Sequence, residues 1–399
     1  MKNQVINTTN IRSIFIPYVG TETIALHLRG KAGSICEKPA EVGAAHMVEH
    51  LSADNAYSTV LSKNGSKAYG VTSRDSVLYL VLALKENIED AVAYLGECYK
   101  AKRFSKTKID FHRELIKNEI KRYAGVPEKL IGRRSYELMF PNSRLKFLNS
   151  GNLDQIEALT LKTVSDFKAK NYINSNFVIA ASGNINNDVL CKLINKYFPT
   201  MRNAPKIDSS QPFPEYDLSF KQQNIVIPSS QLSHVKFDFP AYRISDDRKY
   251  ANLLLARMLG NHLAVEFKNP PLSCYKTSVV SLSGGYFGLF SIYTAQSNAQ
   301  AQQAIDQVHK GISNFSKYIT PASLESAKKQ AIAEFLFNFE KPSVRADYYS
   351  ELLLFGTKKQ THNYELKKIN ECSTEELTLE LKRIQNYLPK ITVISNINN

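Results

Sequence analysis

Long apolar runs are missing from this 399-residue sequence: the longest, Val77 to Leu84, falls far short of the roughly 20 residues a membrane-spanning helix needs. Cysteine is scarce as well. The five residues Cys36, Cys98, Cys191, Cys274 and Cys372 are odd in number and never spaced C-x-x-C. That excludes a disulfide framework and a thiolate metal site, and they read as reduced, mostly buried thiols. The first residues, MKNQVINTTNIRSIFIPYVG, lack a compact apolar core behind a basic leader, and no small-residue cleavage site follows, so a cytoplasmic location is expected. Acidic residues are outnumbered, 37 against 51 basic ones, for a net charge of +14. Such a charge favours nucleic acid, anionic membrane or an acidic protein partner. The densest basic stretch, Lys129 to Lys146, has neither the aromatic pattern of an RNA-recognition sheet nor zinc-finger spacing, and is expected to be a solvated face. No nucleic-acid or membrane partner is expected; an acidic protein partner or substrate fits the charge.

The composition that remains, 43% hydrophobic and 22% charged, is that of a globular chain long enough for two domains. Strands are expected at Ile11 to Pro17, Thr23 to Arg29, Lys67 to Thr72 and Ser76 to Leu84, where β-branched and aromatic residues gather. Helices are expected over Pro39 to Ser52, Ile88 to Lys100, Lys106 to Tyr123, Glu128 to Met139 and Leu161 to Lys170, followed by a strand at Phe177 to Ala181 and a helix at Asn187 to Tyr197. The aperiodic stretch TMRNAPKIDSSQPFPEYD then marks a boundary. Beyond it the pattern starts again, with strands at Asn224 to Pro228, His234 to Phe239, Thr277 to Leu282 and Tyr286 to Thr294 and a helix at Asp246 to Leu259. The segment IAASGNINN at Ile179 to Asn187 is echoed by ITVISNINN at Ile391 to Asn399. Two homologous α+β halves are therefore expected, each a mixed or antiparallel sheet packed with helices: residues 1–199, a linker at 200–216, and residues 217–399.

The chemistry concentrates in PAEVGAAHMVEHLS, which contains His46-Met47-Val48-Glu49-His50. On a helix, His46 and His50 share a face and can converge on one metal ion, with Glu49 on the same side. This is the H-x-x-E-H order. A neutral imidazole pair suits zinc, and a carboxylate beside it can take a proton from the water that attacks a carbonyl. The bland alternative is an amphipathic helix whose histidines are merely packed or solvated. Ser105 can cap the helix TKIDFHRELIKNEIKRY, on which Glu119 shares a face with Leu115, Ile116 and Tyr123. Glu119 is either a third zinc ligand, with water in the fourth position, or a surface acid paired with Lys or Arg. Glu114 points away from that face.

GAAHMVEHL followed by HRELIKNEI resembles the insulinase and pitrilysin family of zinc peptidases, which includes the mitochondrial processing peptidases. The resemblance extends over nearly the whole chain and fits the short-chain members, which work as two-chain assemblies. It implies one zinc per chain on His46, His50 and Glu119, with Glu49 as general base, and endopeptidase activity on peptide or unfolded substrates in a closed chamber. It also implies a homodimer or a heterodimer with a related chain. The segment Lys268-Asn-Pro-Pro-Leu-Ser-Cys-Tyr275 is similar to the family's substrate-holding Arg and Tyr. Tyr275 would bond the oxyanion, unless it is a packed strand-start aromatic, and Lys268 would replace Arg without its planar fork. Other positions depart from the family: Tyr69-Gly70-Val71-Thr72 stands for Asn-Ala-x-Thr, and His112 for a helper carboxylate. The second half, with Asn261-His262-Leu263-Ala264-Val265-Glu266, lacks the paired histidines and is expected not to bind zinc. The alternative reading is a non-proteolytic scaffold or partner subunit.

Overall fold

A computed structural model describes residues 4–6, 11–100, 104–198, 215–268, 272–356 and 361–396. The first half of the chain runs β1 (Gln4–Ile6), β2 (Arg12–Pro17), β3 (Thr23–Gly30), α1 (Ala44–Ala53), α2 (Ala56–Lys63), β4 (Lys67–Thr72), β5 (Val77–Leu84) and α3 (Ile88–Lys100). It continues with α4 (Lys106–Ala124), α5 (Pro127–Met139), α6 (Leu153–Ala158), α7 (Leu161–Asn171), β6 (Phe177–Gly183) and α8 (Asn187–Tyr197). The second half runs β7 (Lys221–Val226), β8 (Ser233–Pro240), α9 (Lys249–Glu266), β9 (Lys276–Ser283), β10 (Gly288–Gln296) and α10 (Ala301–Asn314). It ends with α11 (Pro321–Phe339), α12 (Pro342–Phe355), α13 (His362–Glu371), α14 (Thr374–Asn386) and β11 (Lys390–Ser395).

The duplication is built into the sheets. One has the order β1-β2-β6-β3-β5-β4 and the other β7-β11-β8-β10-β9, so the second repeats the first strand for strand once β1 is set aside. In each, the last strand of its half lies parallel to one neighbour and antiparallel to the other: β6 between β2 and β3, β11 between β7 and β8. The fold is thus α+β with two similar halves. The echoing segments fall on β6 and β11, although residues 397–399 lie outside the described set.

The compact units do not follow the halves of the sequence. One comprises Met1–Lys121, Phe147–Pro212 and Phe337–Lys358; the other comprises Arg122–Lys146, Phe213–Leu336 and Lys359–Asn399. The single boundary expected at residues 200–216, mostly outside the described set, therefore gives way to two units of three stretches each. The reason lies in the strands. β3 and β6 are buried along nearly their whole length on both faces. Leu26 and Leu28 face the apolar core beneath α1 and α3, while the alternate residues His27 and Arg29 face α12. Arg29 donates through Nε to Ser350 Oγ at 2.9 Å and also pairs with Asp347, so a helix from the second half of the sequence completes the first unit. In the second unit Val235, Phe237 and Phe239 of β8 face the core, and Lys236 donates to Ser135 of α5 at 2.8 Å. The two helices exchange, each starting with a proline at its first position, Pro127 and Pro342, where the missing N–H costs nothing.

Candidate metal centre

The helix expected over Pro39 to Ser52 is broken. A short 3-10 turn, Pro39–Glu41, precedes Gly43, which takes the left-handed conformation at φ 91° before α1 begins. The buried Glu37 carboxylate accepts from the backbone N–H groups of Gly43 at 3.1 Å and Ala45 at 2.8 Å. An acid at that end opposes the partial positive charge of the helix dipole and satisfies orphan donors. α1 therefore starts at a fixed place and angle, and its histidines inherit that precision.

α1 packs on β4, β5, α3 and α7, burying Met47, Val48 and Leu51. His46 and His50 project from the side facing α4, where Ser105 caps the helix by accepting from the Lys108 N–H at 3.1 Å. Their Nε2 atoms lie 3.1 Å apart, with the rings edge to face, and each is 3.8 Å from Glu119 Oε2. One ligand atom from each of His46, His50 and Glu119 lies within 4.8 Å of the others, a grouping that can hold a metal ion. Tetrahedral zinc with bonds of about 2.0–2.2 Å needs donor separations of about 3.4 Å, so this donor set fits with small side-chain adjustments. Burial keeps both imidazoles neutral, lowering His46 to about 3 and His50 to about 4, each helped by a neighbouring histidine. Neutral nitrogens are the form that ligates.

Glu49 sits beside this cluster, Oε2 lying 3.7 Å from His46 Nε2 and accepting from Thr72 Oγ1 at 3.4 Å. Burial raises its pKa to about 8; the Thr72 hydroxyl opposes this, and the Glu119 charge adds to it. A carboxylate so placed has a high proton affinity, while a dication nearby acts in the opposite direction.

The surroundings correct and extend the sequence reading. His112 is buried, and its Nε2 meets Asp54 Oδ2 at 3.1 Å while its ring packs edge-on to His50. Asp54, one helical turn after His50, was not anticipated; the i+4 spacing is the signal that could have found it. Glu114 is solvated and pairs with Lys117, as its position on the helix implies. Tyr275 and Lys268 belong to the second unit. Tyr275 is 82% exposed, so the packed strand-start reading does not hold for its ring, while its N–H donates to Ala295 O at 2.7 Å as β9 begins. Lys268 is exposed, and residues 269–271 of that segment lie outside the described set.

Comparison with known proteins agrees with this arrangement. Residues 18–146 match the family described as Insulinase (Peptidase family M16), and residues 158–331 match the Peptidase M16 inactive domain. The chain is similar to an uncharacterized zinc protease of Rickettsia bellii, 23% identical over 355 residues that cover 86% of this chain and 84% of the relative. It is also similar to the mitochondrial-processing peptidase subunit beta of Neurospora crassa, 21% identical over 366 residues, covering 86% of this chain and 76% of that one. Its fold matches the crystal structure of a protease from Helicobacter pylori with a TM-score of 0.90 at 17% identity over 99% of both chains. The chain belongs to the insulinase family of peptidases, family M16.

Proposed function

We propose that this protein is a zinc-dependent endopeptidase that hydrolyses peptides or unfolded polypeptide segments and works as a homodimer or with a related chain. The observation that carries the reading is the convergence of His46, His50 and Glu119 beside the buried Glu49 carboxylate. The name of the Rickettsia bellii relative, a zinc protease, agrees with it. A zinc ion held by His46, His50 and Glu119 supplies Lewis-acid polarisation of a peptide carbonyl and lowers the pKa of water. Glu49 takes a proton from the attacking water as its oxygen bonds to the carbonyl carbon, then returns that proton to the amine nitrogen as the C–N bond breaks. Burial raises the proton affinity of Glu49, and a zinc charge beside it would pull that affinity down again, toward the range in which it can both accept and donate. Tyr275 donates to the developing oxyanion and Lys268 holds substrate backbone or a C-terminal carboxylate; the sequence likeness of their segment supports these two roles.

The test is metal content and peptide cleavage measured on the same samples of wild type, Glu49→Gln and His50→Ala. About one zinc per chain is expected in wild type and Glu49→Gln, with cleavage in the latter reduced by about 10²–10⁴-fold, the span of general acid–base catalysis. His50→Ala should lose both zinc and cleavage. A wild type that binds zinc and cleaves nothing, alone or with related chains added, would show a scaffold subunit instead.

A further inference from the structure

We infer that Asn149 is a specificity-determining residue: its side-chain amide plugs the free edge of β4 at Thr72, so an extended substrate pairs with that edge through Ala68 and Gly70 and no further. The inference rests on the reading of the neighbouring centre as a peptidase site and deepens it by setting how far a substrate reaches. β4 is the outermost strand of its sheet, and an edge strand presents unpaired N–H and C=O groups that another extended chain can take up. Which groups face outward follows from the hairpin. Ser73 N–H donates to Ser76 O at 2.8 Å, closing the turn between β4 and β5. Bonded and non-bonded pairs alternate along an antiparallel ladder, so Thr72–Val77, Gly70–Tyr79 and Ala68–Val81 are the pairs whose peptide groups point away from each other. Glu49 lies against the same residues, Oε1 beside Gly70 and Oε2 accepting from Thr72, so a chain laid along this edge passes the acid.

The last of these outward groups is taken. Asn149 Nδ2 donates to Thr72 O at 2.9 Å, as the N–H of a further strand would. Its Oδ1 accepts from the hydroxyl of the buried Ser34 at 3.1 Å, and Ser34 N–H donates to Ser73 O at 3.2 Å. Asn149 itself lies in a tight turn that Gly151 N–H closes onto Leu148 O at 3.1 Å, with Gly151 at φ 67°. Displacing the amide would leave the Ser34 hydroxyl without that acceptor, which a single substrate N–H does not offset.

The second unit shows the edge without this stop. Gly70 pairs with Tyr79, and the next residue, Leu80, pairs with His27, which pairs with Ala180. In the other sheet Val279 pairs with Ile292, and the next residue, Tyr293, pairs with Lys236, which pairs with Thr392. Ala180 and Thr392 are the matching second residues of the echoed segments, so Val279 stands where Gly70 stands and Ser281 where Thr72 stands. β9 runs on past Ser281 to Ser283, whereas β4 ends at Thr72. The edge beside the candidate metal centre is the shorter of the two, and Asn149 closes its end.

A nested series of synthetic peptides, truncated stepwise from each end of one cleaved sequence, reads the stop. In wild type kcat/KM should rise with length on one side of the cleaved bond and level off after about two residues on the other, since outward pairs recur every second residue. A hydrogen bond gained at the edge contributes a factor of about 2–10. Asn149→Ala uncovers Thr72 O, so the ratio of long to short peptides should rise by about 3–10-fold on the blocked side alone. An unchanged ratio, a rise on both sides, or a loss equal at every length overturns the proposal. Should Asn149→Ala not fold, Ser34→Ala, which removes the hydroxyl that holds the amide, must raise the same ratio by at least about twofold, and an unmoved ratio overturns it. If wild type cleaves no peptide, the peptidase reading fails by itself. The affinities of the same series, measured by fluorescence anisotropy, then decide the inference: a one-sided rise in the ratio supports it, while an unmoved ratio or no binding by any peptide overturns it.

Discussion

In the first unit α1 meets α4 through His46, His50 and Glu119; in the second, α9 meets α11 through Arg257, Asn261, Glu334 and Gln330. The positions correspond. Glu119 and Glu334 each lie thirteen residues beyond the start of a 19-residue helix. Arg257 and Asn261 are spaced four apart, like the histidines, and Gly260 precedes Asn261 as Glu49 precedes His50. Arg257 pairs with Glu334, and Asn261 donates to Gln330 at 3.0 Å. The acid on the long helix is thus retained in both units, satisfied in one by a guanidinium and suited in the other to a dication. What separates the candidate metal centre from an ordinary helix contact is the replacement of three residues on one helix, with Gly70 in one unit and Val279 in the other on the strand beneath. The same architecture does not dictate chemistry; a few side chains on it do.

The largest effect should come from erasing the difference in one direction. His46→Arg with His50→Asn gives the first unit the second unit's residues, and the new guanidinium can pair with Glu119. Zinc content should fall to background and peptide cleavage by at least about 10³-fold, while circular dichroism shows an unchanged fold. Retained zinc would mean that His46 and His50 do not hold it. The reverse exchange sharpens the comparison. Arg257→His with Asn261→His places two imidazoles beside Glu334, three donors in all, and equilibrium dialysis should find a second zinc bound more weakly than the first. Cleavage should not rise with it, because Gly260 offers no base. If no second zinc binds, the helices of the second unit differ in more than sequence.

Acid provides a third handle. Burial holds His46 and His50 at about 3 and about 4, below the 6.5 of an unfolded chain. As pH falls through 6.5 the unfolded state takes up protons that the folded state refuses, so their stability contribution is full above that pH and declines below it. The metal-stripped wild type should therefore lose more Tm between about pH 7 and about pH 5 than the His46→Arg, His50→Asn variant does. Equal losses would show that the histidines are hydrated rather than buried.

Much of this was legible in the sequence, for identifiable reasons. The helices Ile88–Lys100 and Asn187–Tyr197 and the strand Lys67–Thr72 carry strong local periodicity, and their observed limits are those expected. That His46 and His50 converge was legible because i, i+4 spacing on a helix is a geometric statement in itself. Features that depend on distant partners were not. The break at Gly43 follows from a cap supplied by Glu37, and the short helix Ala56–Lys63 has only its Asn55 cap to announce it. The exchange of α5 and α12 is invisible because nothing local says which sheet a helix will cover. Gly70 reads in the sequence as a departure from a family pattern, and only the structure shows Glu49 lying against it.

The smallest effect tests whether the second unit's ion pair is structural at all. Arg257 and Glu334 side chains are 24% and 59% exposed, so the attraction between them is screened by water and salt. Pairs of this kind contribute about 0.2–1 kcal/mol. Arg257→Ala should lower Tm by no more than about 4 °C in low salt, using roughly 2–4 °C per kcal/mol for a unit of this size, and by less in about 1 M salt. A much larger, salt-insensitive loss would mean that the guanidinium clamps α9 to α11. It would then perform in the second unit the cross-linking that a zinc ion on His46, His50 and Glu119 would perform in the first. Stripping zinc from the wild type should in that case destabilise the first unit by a comparable amount, so the two losses measured side by side by calorimetry decide whether each unit needs a cation between those helices.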